Sequence, residues 1–218
     1  MQGQTIFFDL DGTLADSAPG IMDSYRYVAQ QMKVVVPDDV TLRSFVGPPL
    51  RGNLTHMGIA EDKVEEAVAH YMHWMVDKKA SILRNKIYDG VVDMLEALQR
   101  RFTLAVATSK REDISVEILK HFNLSSYFSG VYGANVFGKD GEKDKVIARA
   151  MTGQGVTANQ VVMVGDRAHD MMGAKRNGTA SIGVLWGYGS REELMEAGAK
   201  TLAGTPSELT VILTEKGC

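Results

Sequence analysis

The second half of the chain alternates between two periodicities, and this alternation constrains the fold more than any other feature. From about Gly90 onward, short β-rich runs, "TLAVAT" (Thr103 to Thr108), "GVYG" (Gly130 to Gly133), "VVMVG" (Val161 to Gly165) and "ASIGV" (Ala180 to Val184), are separated by segments of helical spacing. Between Gly90 and Arg101 the apolar stripe is Val91, Met94, Leu95 and Leu98; between Arg111 and Phe122 it is Ile114, Ile118, Leu119 and Phe122. Strands and helices in alternation form a parallel sheet with helices on both faces. With "TIFF" (Thr5 to Phe8) as the first strand, the pattern predicts a doubly wound, Rossmann-like α/β domain.

One stretch breaks the rule. From about Asp16 to Lys86 the patterning is helical, with Val64, Ala67, Val68, Tyr71, Met72 and Met75 on one face and no convincing strand. "KVVVP" (Lys33 to Pro37) has strand composition, but Pro37 and the acids behind it read as a turn into a new helix. The expected organisation is therefore an α/β core from residues 1–15 and 87–218, with residues 16–86 inserted after the first strand as a small all-helical domain.

Composition excludes some partners. Lys and Arg number 24 against 27 Asp and Glu, a net charge of -3, which gives no electrostatic reason to expect a nucleic acid polymer or an anionic membrane. No window approaches the run of roughly eighteen apolar residues that a membrane span needs, and the N-terminus has no secretory pattern. The single cysteine, Cys218, has no internal disulfide partner, so a cytoplasmic location is expected.

Chemistry concentrates where strands end. In open parallel sheets ligands bind outside the carboxyl ends of the strands. The first strand runs into Asp9, Asp11, Gly12 and Thr13, "TLAVA" into Thr108, Ser109 and Lys110, and "VVMV" into Gly165, Asp166, Arg167 and Asp170. Taken singly, an acid after a strand is commonly a helix cap; three polar clusters at three strand ends point to a site. Buried carboxylates in such company repel unless a cation neutralises them. Hard oxygens without a His or Cys cluster suit Mg²⁺ better than zinc.

In this order, "DLDGTL", "ATSK", a lysine ahead of a helix, and "GDRAHD" resemble the four motifs of the haloacid dehalogenase superfamily over essentially the whole chain. The helical insertion resembles the cap of the phosphoglycolate phosphatase branch. The resemblance implies that Asp9 is a nucleophile and Asp11 a general acid/base, that Thr108 donates its hydroxyl to the transferring phosphoryl group, and that Asp166 ligates Mg²⁺ together with Asp9 and the backbone carbonyl of Asp11. Asp170 is then in or near the metal's coordination shell, and Gly12, Thr108, Ser109 and a lysine belong to the phosphate-binding set. Arg167 and His169 are expected to be structural.

The third-motif lysine departs from the common Lys-Pro pattern: "GKDGEKD" (Gly138 to Asp144) and the helix after it offer Lys139, Lys143 and Lys145. Lys145 is the first choice, because Asp144 can cap a helix starting there, with Val146, Ile147 and Ala150 on its apolar face; Lys143 is the alternative. In "FVGPPLRGNL" (Phe45 to Leu54), Arg51 is expected to meet an anionic substrate. "GVLWGYGSREEL" (Gly183 to Leu194) is assigned to structure, with Ser190 and Glu193 forming a capping box.

These readings imply a Mg²⁺-dependent phosphatase acting on a small phosphorylated metabolite, phosphoglycolate first, as a monomer or homodimer. The alternatives are a 5′-nucleotidase, a phosphosugar mutase and a non-catalytic binding protein.

Overall fold

The computed structural model describes residues 4–48, 50–136 and 139–215; Pro49, Gly138 and Cys218 lie outside the described residues. In chain order its strands are β1 (Thr5–Phe8), β2 (Ala15–Asp16), β3 (Lys86–Ile87), β4 (Thr103–Arg111), β5 (Val131–Ala134), β6 (Val161–Gly165), β7 (Ala180–Val184) and β8 (Thr201–Ala203). Its α-helices are α1 (Ala18–Met32), α2 (Asp39–Ser44), α3 (Leu50–His56), α4 (Val64–Met72), α5 (Ala80–Leu83), α6 (Val91–Leu98), α7 (Glu112–His121), α8 (Lys143–Gln154), α9 (Ala168–Asn177), α10 (Arg191–Glu196) and α11 (Pro206–Glu215). Two compact units result, one from residues up to Ala15 together with Ile87 onward, the other from Asp16–Lys86.

The first unit is a six-stranded sheet in the order β5-β4-β1-β6-β7-β8, with every described pairing parallel. All four residues of β1 are buried, which is why its sequence is continuously apolar rather than alternating. On one face, Phe7, Ala105, Ala107 and Met163 of the sheet pack with Val146, Ile147 and Ala150 of α8 and Ala174 of α9. The α6 stripe of Val91, Met94, Leu95 and Leu98 is likewise buried. After β1 the chain builds outward through β4 and β5, then returns to β6 on the other side of β1. The strand order therefore reverses beside β1, at the topological switch point where such sheets open a crevice.

Two differences from the sequence reading have local causes. The strand at 103–108 continues to Arg111, through a register shift against β5 between Ala107 and Arg111. β8 is three residues long at the sheet edge, too short for a periodicity to register.

The second unit is helical. α1 buries Ile21, Tyr25, Val28 and Ala29. The Tyr25 ring meets Phe45 and Tyr71 at centroid separations of 5.0 and 5.2 Å. Asn53 donates from Nδ2 to the Tyr25 hydroxyl at 2.8 Å and to the Phe45 carbonyl at 2.9 Å. The Lys33 to Pro37 run forms no strand; it leads to Asp38, whose side chain accepts from the Thr41 N–H at 2.8 Å and so caps α2. Residues His73–Asp77 form a π-helical turn.

Candidate active site

Three strand ends carry the site. The Asp9 N–H continues the ladder beyond β1 by donating to Val164 O at 2.9 Å, so the backbone of Asp9 is fixed before its side chain meets anything. The Asp9 side chain is 6 % exposed, and its carboxylate stands 2.9 Å from Lys143 Nζ. The same ammonium forms an ion pair with Asp170 Oδ1 at 2.8 Å and donates to the Ala107 carbonyl at 3.1 Å. Burial alone would lower the Lys143 pKa, but the charges of Asp170 and Asp9 outweigh it and hold the value above the ordinary lysine range. Lys143 is therefore a fixed positive charge beside Asp9.

This corrects the expectation for the third-motif lysine. Lys145 is exposed and pairs with Glu142 at 3.2 Å. The reason is helical phase: α8 begins at Lys143 with Glu142 as its N-cap, not at Lys145 with Asp144. Residues three, four and seven beyond Lys143 are Val146, Ile147 and Ala150, the buried stripe, so Lys143 shares the core face and Lys145 cannot. Gly173 on α9 permits this depth, because a Cβ there would stand 2.9 Å from Lys143 Cγ.

Asp166 is completely buried and has no ammonium or guanidinium ion-paired to it among the described residues. It accepts from the Thr13 hydroxyl at 3.2 Å and from the Tyr188 N–H at 2.8 Å. Its carboxyl is pushed well above the usual range, first by burial and then by the charges of Asp170 and Asp9. A buried acid in this condition, in a set of hard oxygens, fits a small divalent cation. Asp170 accepts from the Arg167 N–H at 3.0 Å while facing Lys143, so it braces the lysine and the start of α9. Asp9, His169 and Asp170 can bring one ligand atom each within 4.8 Å of one another. Burial holds the His169 ring below the ordinary histidine value.

Asp11 is gripped separately. Lys110 Nζ lies 2.8 and 3.1 Å from its two carboxylate oxygens. Thr108 is buried, and its hydroxyl accepts from the Lys110 N–H at 3.3 Å; Ser109 follows it half-buried. Gly12 has φ +87°, and a Cβ there would overlap the Asp166 carboxylate; glycine lets this loop lie directly against the acid.

The model of the haloacid dehalogenase-like hydrolases matches residues 6–184. The chain belongs to that family. Among curated relatives, a 5′-nucleotidase from Pseudomonas aeruginosa is 39% identical over 191 residues, covering 87% of this chain and 86% of that protein. The tyrosine-protein kinase PtkA of Mycobacterium tuberculosis is 38% identical over 85% of this chain, which spans 63% of that protein. A phosphoglycolate phosphatase from Aquifex aeolicus is 31% identical, covering 85% of this chain and 86% of that protein. Among solved structures, one described as "a predicted phosphatase from Clostridium acetobutylicum" superposes with a TM-score of 0.92 at 37% identity, over 99% of this chain and 100% of that one. The protein is a phosphoric monoester hydrolase of haloacid dehalogenase type.

In this haloacid dehalogenase-like hydrolase, the sequence reading missed the loop after β7. Its spacing reads as structural, yet Trp186 Nε1 donates to Thr13 O at 3.0 Å and Tyr188 N–H holds Asp166. A Cβ at Gly187 or Gly189 would overlap Asp166 or its backbone, so "WGYG" is a clamp on that acid. The alternation of glycine with large aromatics was the available signal. Ser190 caps α10 as expected, accepting from the Glu193 N–H at 3.1 Å. The Glu193 carboxylate does not complete the box; it accepts from Arg167 Nε and the Ala168 N–H, both at 2.8 Å. Arg51, in the helical unit, is bidentate to Glu65 at 2.8 and 3.1 Å. Among the described residues, no helix is long and apolar enough to cross a membrane.

Proposed function

We propose that this hydrolase cleaves a small phosphomonoester through an aspartyl-phosphate on Asp9. The observation that carries the reading is the buried Lys143 ammonium, 2.9 Å from the Asp9 carboxylate. A carboxylate so placed is both fixed and partly neutralised, which lowers its repulsion toward a phosphate dianion. An Asp9 oxygen attacks phosphorus and the bond to the leaving oxygen breaks; Asp11 gives that oxygen a proton. Water then attacks the phosphorus of the acyl phosphate and returns a proton to Asp11. The acyl oxygen-phosphorus bond breaks, and Asp9 and inorganic phosphate are released. Thr108 hydrogen-bonds the phosphoryl oxygens.

Asp9, Asp166 and the Asp11 carbonyl would hold Mg²⁺, with Asp170 bracing Lys143 nearby. The ion would neutralise charge on the phosphoryl group. Residues 16–86 serve as the cap, and Arg51 meets the substrate anion only where that anion replaces Glu65. The enzyme works in the cytoplasm, as a monomer or homodimer.

The higher identity to the Pseudomonas 5′-nucleotidase supports placing nucleoside 5′-monophosphates ahead of phosphoglycolate as substrate. The test is initial-rate phosphate release from AMP, other nucleoside monophosphates, phosphoglycolate, sugar phosphates and p-nitrophenyl phosphate, with Mg²⁺ and with a chelator. A preference for nucleotides that vanishes with the metal is expected. Turnover independent of Mg²⁺, or none on any phosphomonoester, contradicts the proposal.

A further inference from the structure

We propose that Lys110 is a positioning residue that orients the Asp11 carboxylate toward the leaving oxygen. The inference rests on the reading of Asp11 as the acid/base. It starts from the register shift in β4. Between Ala107 and Arg111 the strand advances four residues while its partner β5 advances two, from Tyr132 to Ala134. Extra residues in one strand form a bulge, and bulges redirect side chains. This one turns Lys110 toward the loop after β1.

The bulge is built into neighbouring elements. A Cβ at Gly133 would stand 2.5 Å from Lys110 O, and one at Gly141 would stand 2.9 Å from Ser109 O. Two glycines on other segments thus leave room for its carbonyls. Its backbone is tied internally by the Lys110 N–H to Thr108 Oγ1, so one distortion fixes both the Thr108 hydroxyl and the Lys110 side chain.

The pair that results differs from a surface ion pair. Lys110 contacts both oxygens of Asp11 at 2.8 and 3.1 Å, and the two side chains are only 8 % and 14 % exposed. Exposed pairs of this kind contribute little, because solvent screens them and the side chains stay mobile. Here a carboxylate gripped at both oxygens has its rotation restricted. The two acids of the first motif therefore have separate lysines: Lys143 for Asp9 and Lys110 for Asp11. The first partner suits charge compensation at the nucleophile, and the second suits orientation of a proton donor.

A positioning role has a readout that simple loss of structure does not move. An alkoxide leaving group needs its proton during bond cleavage, whereas p-nitrophenolate needs almost none. The experiment measures kcat/KM on p-nitrophenyl phosphate and on whichever of AMP and phosphoglycolate turns over faster. The proteins are the wild type, Lys110→Met, Lys110→Arg, Asp11→Asn and the double variant Asp11→Asn/Lys110→Met, with melting curves to check folding. Lys110→Met is expected to lose roughly tenfold more on the alkyl phosphate than on the aryl phosphate, within the range for general acid catalysis. Lys110→Arg should recover part of that difference. The double variant should be no worse than Asp11→Asn alone, since residues acting through one group are not additive.

Equal losses on the two substrates for Lys110→Met, or losses that multiply in the double variant, overturn the inference. If Asp11→Asn discriminates by leaving group and Lys110→Met does not, the role of Lys110 alone fails. If Asp11→Asn does not discriminate, the acid/base reading fails with it. Should Lys110→Met not fold, Lys110→Gln carries the same comparison.

Discussion

Replacing Lys143 by Met removes one ammonium and leaves two buried carboxylates facing each other. At an effective dielectric of about 20, each of the contacts at 2.9 and 2.8 Å corresponds to roughly 6 kcal/mol of attraction. Most of that attraction offsets the desolvation of the three ions. What remains when one partner of a buried pair is deleted is a loss of about 3–5 kcal/mol. For a chain of this size each kcal/mol moves Tm by roughly 2–4 °C, so the expected fall is about 6–20 °C. A folded domain's net stability is about 5–15 kcal/mol, so the variant should still fold.

Activity should fall as well. With the compensating charge gone from beside Asp9, kcat should drop by about 10²–10³, the usual loss when a transition-state charge partner is removed. The assay pairs thermal melts with Mg²⁺-dependent phosphate release, and Lys145→Met is the control. Lys145 is exposed and its ion pair is with Glu142 on the surface, so its variant should match the wild type in both measurements. Full activity in Lys143→Met together with loss in Lys145→Met would refute the reasoning from helical phase.

Three further outcomes follow from the geometry. Gly187→Ala drives a Cβ into Asp166 and the Gly12 carbonyl, so Mg²⁺ should be needed at much higher concentration for half-maximal rate; an unchanged metal requirement contradicts the clamp. Because the Asp166 pKa is raised in the folded protein, its favourable contribution is fully present below the unfolded carboxylate pKa and is lost as pH rises through the folded value. Mg²⁺ should therefore raise Tm more at pH 8 than at pH 5, with about 2.7 kcal/mol of stabilisation at a hundredfold excess over Kd; a gain independent of pH or larger in acid argues against the cation site. Asn53→Leu strands the Tyr25 hydroxyl and Phe45 carbonyl inside the helical unit and should cost about 1–3 kcal/mol, read as a lower Tm; an unchanged melt shows that these bonds carry no stability.

How much the sequence disclosed depended on whether a feature repeats. β1, β6 and β7 occupy the residues that their apolar runs predicted, and the α6 stripe is buried as its spacing required. A strand of four or five apolar residues between turn signals has few alternatives. β8 had no such run, and the extension of β4 arises from pairing with β5 across a bulge that local composition does not encode. At the candidate site, the acids stood out because carboxylates after apolar strands are costly. Which lysine is buried follows from the phase of the helix and not from capping at Asp144, since positions 143, 146, 147 and 150 share one face. The role of Lys110 depends on a contact across 99 residues of sequence, which no local pattern records, whereas the "WGYG" loop shows only as an alternation of glycine with aromatics whose target lies 22 residues away.

The central claim is that Asp9 carries the phosphoryl group. It is tested most directly by acid-quenching the enzyme during turnover in Mg²⁺ and mapping the phosphoryl group by peptide mass analysis, with Asp9→Asn treated in parallel. The account predicts a phosphorylated peptide with the modification on Asp9, formed and lost on the timescale of turnover and absent from the inactive Asp9→Asn variant. A phosphoryl group on another residue, or turnover that survives in Asp9→Asn, would contradict it.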